Sequence, residues 1–157
     1  MELAEQTIVI TGGASGIGAA LARRFAEESP ANLVLADRDL DGARAVAQAV
    51  APGVSGQCVP RQLDVGRDGA NEALVADVEN NVGPIDLFVA NAGIATGASE
   101  QADDGVWGSI WDINTMAHVR AARALVPLWL ERGGGYLLTT ASAAGLLTNL
   151  GDAPYTV

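Results

Sequence analysis

Between residues 11 and 18 the chain reads Thr11-Gly12-Gly13-Ala14-Ser15-Gly16-Ile17-Gly18, small residues whose spacing suits the binding of an anion. The β-branched run Thr7-Ile8-Val9-Ile10-Thr11 leads into it, and the helix-forming stretch 19–25 follows. Glycines at a strand-to-helix junction let the backbone turn tightly and let a pyrophosphate approach the amides at the helix N-terminus, where dipole and unpaired donors favour negative charge. The residues placed to form this cradle are Gly12, Ser15, Gly16, Ile17 and Gly18. A carboxylate, Asp37, lies 19 positions past Gly18, at the end of a second apolar run, 32–36. An acidic residue at about that distance accepts hydrogen bonds from an adenosine ribose. Together the two features point to a dinucleotide.

Further residues fall in an order that carries more. Leu63-Asp64-Val65 follows the third strand-like run, and Asn91-Ala92-Gly93 ends the fourth. Asn114 lies inside a long helical stretch, Ser142 follows the fifth strand, and Tyr155 comes 13 residues after Ser142. With Thr-Gly-x-x-x-Gly-x-Gly at the front, this series resembles the short-chain dehydrogenase/reductase family, and the similarity runs the length of the chain. The resemblance implies that Asp64, with Val65, flanks the adenine, and that Asn91, Ala92 and Gly93 shape the wall beside the cofactor ribose. It implies that Asn114, Ser142 and Tyr155 are the first three members of an Asn-Ser-Tyr-Lys tetrad. Ala90 departs from the family's more usual Asn. The larger departure is that Tyr-x-x-x-Lys would place its lysine two positions past Val157. The chain is therefore expected to be the retained part of a longer protein, with C-terminal strands and helices missing.

The implied activity is the NAD-dependent interconversion of a secondary alcohol and a ketone. Tyr155 would be the acid/base, and Ser142 would hydrogen-bond the same substrate oxygen. Asn114 would kink its helix and hold a water in a proton relay. A phenol becomes a useful base near neutral pH only with positive charge beside it, and the resemblance gives that part to the absent lysine. Read without the family, Ser142 is a turn-forming serine and Asn114 an exposed asparagine in a helix that disfavours it. Asp37 repels the 2′-phosphate of NADP at close range, which favours NAD by about ten- to a thousand-fold, while the neighbouring Arg38 works the other way. The alternative to an enzyme is a noncatalytic NAD(P)-binding module, or an inactive fragment without the lysine. A Ser-His-Asp hydrolase is set aside because Gly-x-Ser-x-Gly is absent and His118 sits mid-helix with no matching acid. The segments 95–100 and 146–154 are expected at the mouth of the substrate site.

The elements that must position these groups alternate. Strands are expected near 7–11, 32–36, 57–63, 87–91 and 136–140, with helices near 17–28, 40–50, 67–81 and 104–132. Mostly continuous apolar strands between helices predict a doubly wound parallel α/β sheet, a Rossmann fold. The stretch 104–132 is apolar on most sides, so it is expected to be buried against the sheet and against a second subunit, in a homodimer or homotetramer. Pro127 is expected to kink it or begin its last turn. His118 is expected to pack in the core or the interface. With the family's further strands missing, 136–140 is expected to form an exposed apolar edge.

Bulk properties bound the rest. At 157 residues and 49% hydrophobic, the chain is expected to be one dinucleotide-binding domain, 1–157, with a sizeable core. A net charge of −10 without a basic cluster argues against nucleic acid or an anionic membrane as partner. The single cysteine, Cys58, excludes an internal disulfide and a cysteine-cluster metal site, and it is expected to be a buried, inert thiol. No signal-like leader and no membrane-length apolar run are present, so a cytoplasmic protein acting on a small alcohol or ketone is expected, with no metal.

Overall fold

The computed structural model describes residues 2–146 and 151–156. Five parallel strands form one sheet: β1 (Thr7–Thr11), β2 (Asn32–Asp37), β3 (Cys58–Gln62), β4 (Leu87–Ala90) and β5 (Tyr136–Thr139), in the order β3-β2-β1-β4-β5. The chain starts in the middle, winds outward through β2 and β3, then crosses back past β1 to β4 and β5. This reversal opens a crevice between the carboxyl ends of β1 and β4, the place where open α/β sheets take their ligands. The expected doubly wound Rossmann architecture is the one observed.

Alternation along each strand feeds two cores. Ile8, Ile10, Leu33, Leu35, Leu87 and Val89 face one way, against α1 (Gly16–Ala26) and α2 (Leu40–Val50). Val9, Val34, Ala36, Phe88 and Ala90 face the other way, against α3 (Ala70–Asn81) and α5 (Ala117–Arg132). The first core meets mainly alanines, Ala19, Ala22, Ala26, Ala43 and Ala47, which let α1 and α2 lie close to the sheet. The second is filled by Leu74, Val75, Val78, Leu125 and Trp129. Trp129 donates its indole N–H to the Ile85 carbonyl at 2.7 Å, and Arg132 joins the same carbonyl while pairing with Glu79 at 2.6 Å. These bonds tie the end of α5 to the start of β4.

The sheet edges differ from its centre. In β3 the residues are only partly buried, and Pro60, which has no amide hydrogen to offer, sits on this outer strand. At the other edge β5 pairs with β4 alone, and Tyr136 and Leu138 are exposed. The stretch 104–132 is not the single helix expected from its sequence. It divides into α4 (Asp104–Trp111), a π-helical turn (Asp112–Met116) and α5. Pro127 lies inside α5, which continues to Arg132. The helix expected from 67 begins at Ala70, after Gly69 turns the backbone to a positive φ of 74°. No helix among the described residues is long and apolar enough to cross a membrane.

Two outcomes test this packing. Phe88 is fully buried, so Phe88→Ala should cost about 3–5 kcal/mol in urea unfolding, whereas the exposed Tyr136→Ala should change stability by about 0.5 kcal/mol or less. Cys58, expected to be buried, is only half-buried, and this partial burial pushes its thiol up to about 11. At pH 8 it should react with a disulfide reagent roughly a hundredfold more slowly than a free thiol, and reach the free rate only in denaturant.

Candidate active site

A cleft of about 760 Å³ opens at the carboxyl ends of the strands. Gly12, Ser15, Gly16 and Ile17 line it from the β1–α1 turn, Asp37 and Arg38 from the end of β2, and Asp64 and Val65 from beyond β3. Asn91, Ala92 and Gly93 line it after β4, Asn114 from the π-turn, and Ser142 and Tyr155 after β5. Of the cofactor-binding and catalytic residues expected from sequence, only Gly18 is not on this wall, and of the expected mouth segment 95–100 only Ala95 is. Gly18 is buried behind the wall, where a Cβ would collide with the Gly12 carbonyl oxygen. Gly18 therefore lets the turn fold back on itself. Gly16 is the opposite case: its φ is +53°, and nothing lies within 4 Å of where its Cβ would stand. The backbone there is bare towards the cleft.

The electrostatics at this end favour an anion. Ser15 caps α1 in an extended conformation and its side chain makes no capping bond. No acidic residue occupies the first turn of α1, so the amides there meet no side-chain acceptor and the dipole is not neutralised. Asp37 stands close by and is held by the backbone. Its Oδ2 accepts from the Ala14 amide at 3.0 Å and its Oδ1 from the Asp39 amide at 2.9 Å. Each oxygen keeps lone-pair capacity for a further donor. The carboxylate thus fixes the glycine turn to the end of β2 while still facing the cleft. Asp64 is exposed and accepts from the Gly66 amide at 3.1 Å. The buried Asn71 holds the Val65 carbonyl at 3.0 Å.

The floor between β1, β4 and β5 is a hydrogen-bonded junction that the sequence did not reveal. The Asn91 side chain donates to the Thr11 carbonyl at 3.0 Å and accepts from the Thr140 hydroxyl at 2.9 Å. The Thr11 hydroxyl accepts from the amides of Asn91 and Ala92 and donates to the Val89 carbonyl. Asn91 is thus committed to the protein itself, in keeping with a wall rather than a substrate contact.

At the far end of the cleft, Asn114 sits in the π-turn and is half-buried, not exposed as its bland reading required. Its side-chain amide spans Ile94, accepting from the Ile94 amide at 2.9 Å and donating to the Ile94 carbonyl at 2.8 Å. Arg120 braces the turn by donating to Asp112 at 2.9 Å. Ser142 caps a short 3₁₀ turn (Ala143–Gly145), its Oγ accepting from the Ala144 amide at 3.1 Å. That bond uses a lone pair and leaves the hydroxyl hydrogen to be donated. Tyr155, in the 3₁₀ turn Ala153–Thr156, is half-buried on the same cleft. His118 is neither core nor outward-facing. It is half-buried in the cleft wall, where burial pushes its imidazole below the usual value. Part of the expected mouth segment, 147–150, lies outside the described residues.

Comparison with known proteins places this geometry. Residues 6–157 match the family described as short chain dehydrogenase. A 3beta-hydroxysteroid dehydrogenase 2 from Eggerthella lenta is 36% identical over 157 residues, covering 98% of this chain and 60% of that protein. Dehydrogenase/reductase SDR family member 4 from Oryctolagus cuniculus is 35% identical, covering 99% and 60%. Among solved structures, the L-sorbose reductase from Gluconobacter frateurii complexed with NADPH and L-sorbose superposes with a TM-score of 0.89 at 31% identity, covering 99% of this chain and 60% of that one. The chain thus spans about 60% of the length of these relatives. On the family match over residues 6–157 and these similarities, the chain belongs to the short-chain dehydrogenase/reductase family.

Proposed function

We propose that this protein is an NAD-dependent oxidoreductase that interconverts a secondary alcohol and a ketone, with residues 1–157 forming its dinucleotide-binding unit. The observation that carries the reading is a single continuous cleft. At one end it offers the uncapped N-terminus of α1 and the carboxylate of Asp37; at the other it offers the hydroxyls of Ser142 and Tyr155. A pyrophosphate fits the bare backbone at Gly16, and ribose hydroxyls fit the remaining lone pairs of Asp37. When bound, the nicotinamide supplies the hydride acceptor or donor, chemistry that no side chain here provides. The residues of the chain then bind, orient and move a proton.

Tyr155 takes a proton from the substrate hydroxyl in oxidation and returns it to the carbonyl oxygen in reduction. Ser142 donates its free hydroxyl hydrogen to the same oxygen, its own Oγ steadied by the Ala144 amide. Asn114 is assigned the family's relay position; because its side chain is used on Ile94, it acts through the π-turn backbone. The ammonium that lowers the phenol's basicity belongs, by the family pattern, four positions after Tyr155. The activity is therefore proposed for the protein that carries that lysine. Two of the relatives, a hydroxysteroid dehydrogenase and a sorbose reductase, support alcohol and carbonyl chemistry as the class. Exposed Val119, Val126 and Leu130 along α5 support a homodimer or homotetramer, and the unpaired thiol of Cys58 suits the cytoplasm.

A second reading is a noncatalytic NAD(P)-binding module, which would use the nucleotide end of the same cleft without calling on Ser142 or Tyr155. Tyr155→Phe separates the two. In the enzyme it should lower kcat by about 10²–10⁴-fold and leave NAD binding unchanged; turnover that survives the change contradicts the mechanism. Cofactor choice is tested separately. The wild-type protein should favour NAD over NADP by about ten- to a thousand-fold, and Asp37→Asn should bring the two towards parity. Equal kcat/KM with both cofactors in the wild type contradicts the role of Asp37.

A further inference from the structure

Between the carboxyl end of β5 and Tyr155, one side chain is held more firmly than a loop residue needs. Asp152 is 7% exposed, and both its carboxylate oxygens are engaged by one residue. The Thr96 amide donates to Oδ2 at 3.0 Å and the Thr96 hydroxyl to Oδ1 at 3.2 Å. No arginine pairs with Asp152 among the described residues. A buried carboxylate is costly unless its acceptors are filled, so this arrangement persists only while Thr96 stays in place.

The geometry points to Asp152 as the positioning residue for Tyr155. The Tyr155 amide donates to the Asp152 carbonyl at 3.2 Å, and the Ala153 amide donates to the Ala98 carbonyl at 2.8 Å. The turn that carries the phenol is thus docked on the loop after β4 by one buried side chain and one backbone bond. Asn114 grips that same loop at Ile94, two residues before Thr96. Thr96 and Ile94 therefore reference Tyr155 and Asn114 to one short extended segment. That segment leaves Asn91, which is itself locked to β1 and β5. A catalytic group misplaced by about 1 Å can lose about 10²-fold in rate, so the clamp acts on turnover through Tyr155 without touching substrate. This rests on the reading of Tyr155 as the acid/base.

Variants of the complete protein test it with two kinds of readout. Asp152→Ala should lower kcat about 100-fold with the Kd for NAD unchanged, and Asp152→Asn, which keeps the shape and an acceptor for the Thr96 amide, should stay within about threefold of wild type. Amide hydrogen exchange, which needs no activity, should show Thr96 protected in the wild type and in Asp152→Asn but not in Asp152→Ala. If Asp152→Ala does not fold, Thr96→Val takes its place, with an expected loss of about tenfold in kcat at constant Kd. The inference is overturned if kcat is unchanged in both, if Asn falls as far as Ala, if NAD affinity falls together with kcat, or if Thr96 exchanges freely in the wild type. Loss of the Thr96 protection pattern speaks against the clamp alone, whereas a protected Thr96 in a protein without turnover speaks against the oxidoreductase reading alone.

Discussion

Three strands must end together for a cleft to exist at their carboxyl ends, and the hydrogen bonds among Thr11, Asn91 and Thr140 bring this about. Sheet pairing stops at Thr11 on β1, Ala90 on β4 and Thr139 on β5, where the backbones would otherwise diverge. Asn91 bridges the gap by donating to β1 and accepting from the residue after β5, and the Thr11 hydroxyl gathers two amides beyond β4. In a partly buried site each such bond is worth about 0.5–1.5 kcal/mol, and leaving one donor or acceptor unpaired costs more than the bond contributes. The junction therefore holds as a unit. The glycine turn lies above it, the loop carrying Ile94 and Thr96 leaves from it, and the strand leading to Ser142 is fixed by it.

On this foundation the two ends of the cleft solve different problems. In the proposed reading, the nucleotide end must attract a polyanion to a chain of net charge −10. What it offers is mainly backbone, beside the side chain of Arg38: an uncapped helix start, no acid in its first turn, and bare peptide at Gly16. Fixed dipoles of this kind need no reorganisation when the ligand arrives. The proposed catalytic end must hold hydroxyls from separate turns in one arrangement. There the short range of hydrogen bonds matters, and Asn114 and Ser142 each spend a side-chain acceptor on a backbone amide.

The sequence disclosed the parts of this design that repeat locally. Near-continuous apolar strand runs alternating with helices, a glycine turn of fixed spacing, and Asp37 at the end of β2 are all properties of neighbouring residues, and the parallel sheet followed from the first of these. The family resemblance supplied the order of Asp64, Asn91, Asn114, Ser142 and Tyr155, which the fold gathers on one cleft. What stayed hidden depends on contacts between distant residues. The helix break at 112–116 has no glycine or proline to announce it, and only the resemblance, through the kink expected at Asn114, pointed there; its form as a π-turn rests on Arg120 reaching Asp112 and Asn114 reaching Ile94, and hydropathy is blind to both. His118 was expected to pack in the core or an interface, yet the fold places it on the cleft wall. Asp152 and Thr96 are 56 residues apart, and only the folded chain shows that they meet.

The central claim is that the crevice between β1 and β4 holds an adenine dinucleotide, with its pyrophosphate at the start of α1. Isothermal titration of NAD into the complete, folded protein tests this most directly. The account predicts saturable heat with one cofactor per chain, abolished by a β-branched residue at Gly16, where the backbone is open and its φ is +53°. A correctly folded protein that gives no heat with either NAD or NADP would contradict it.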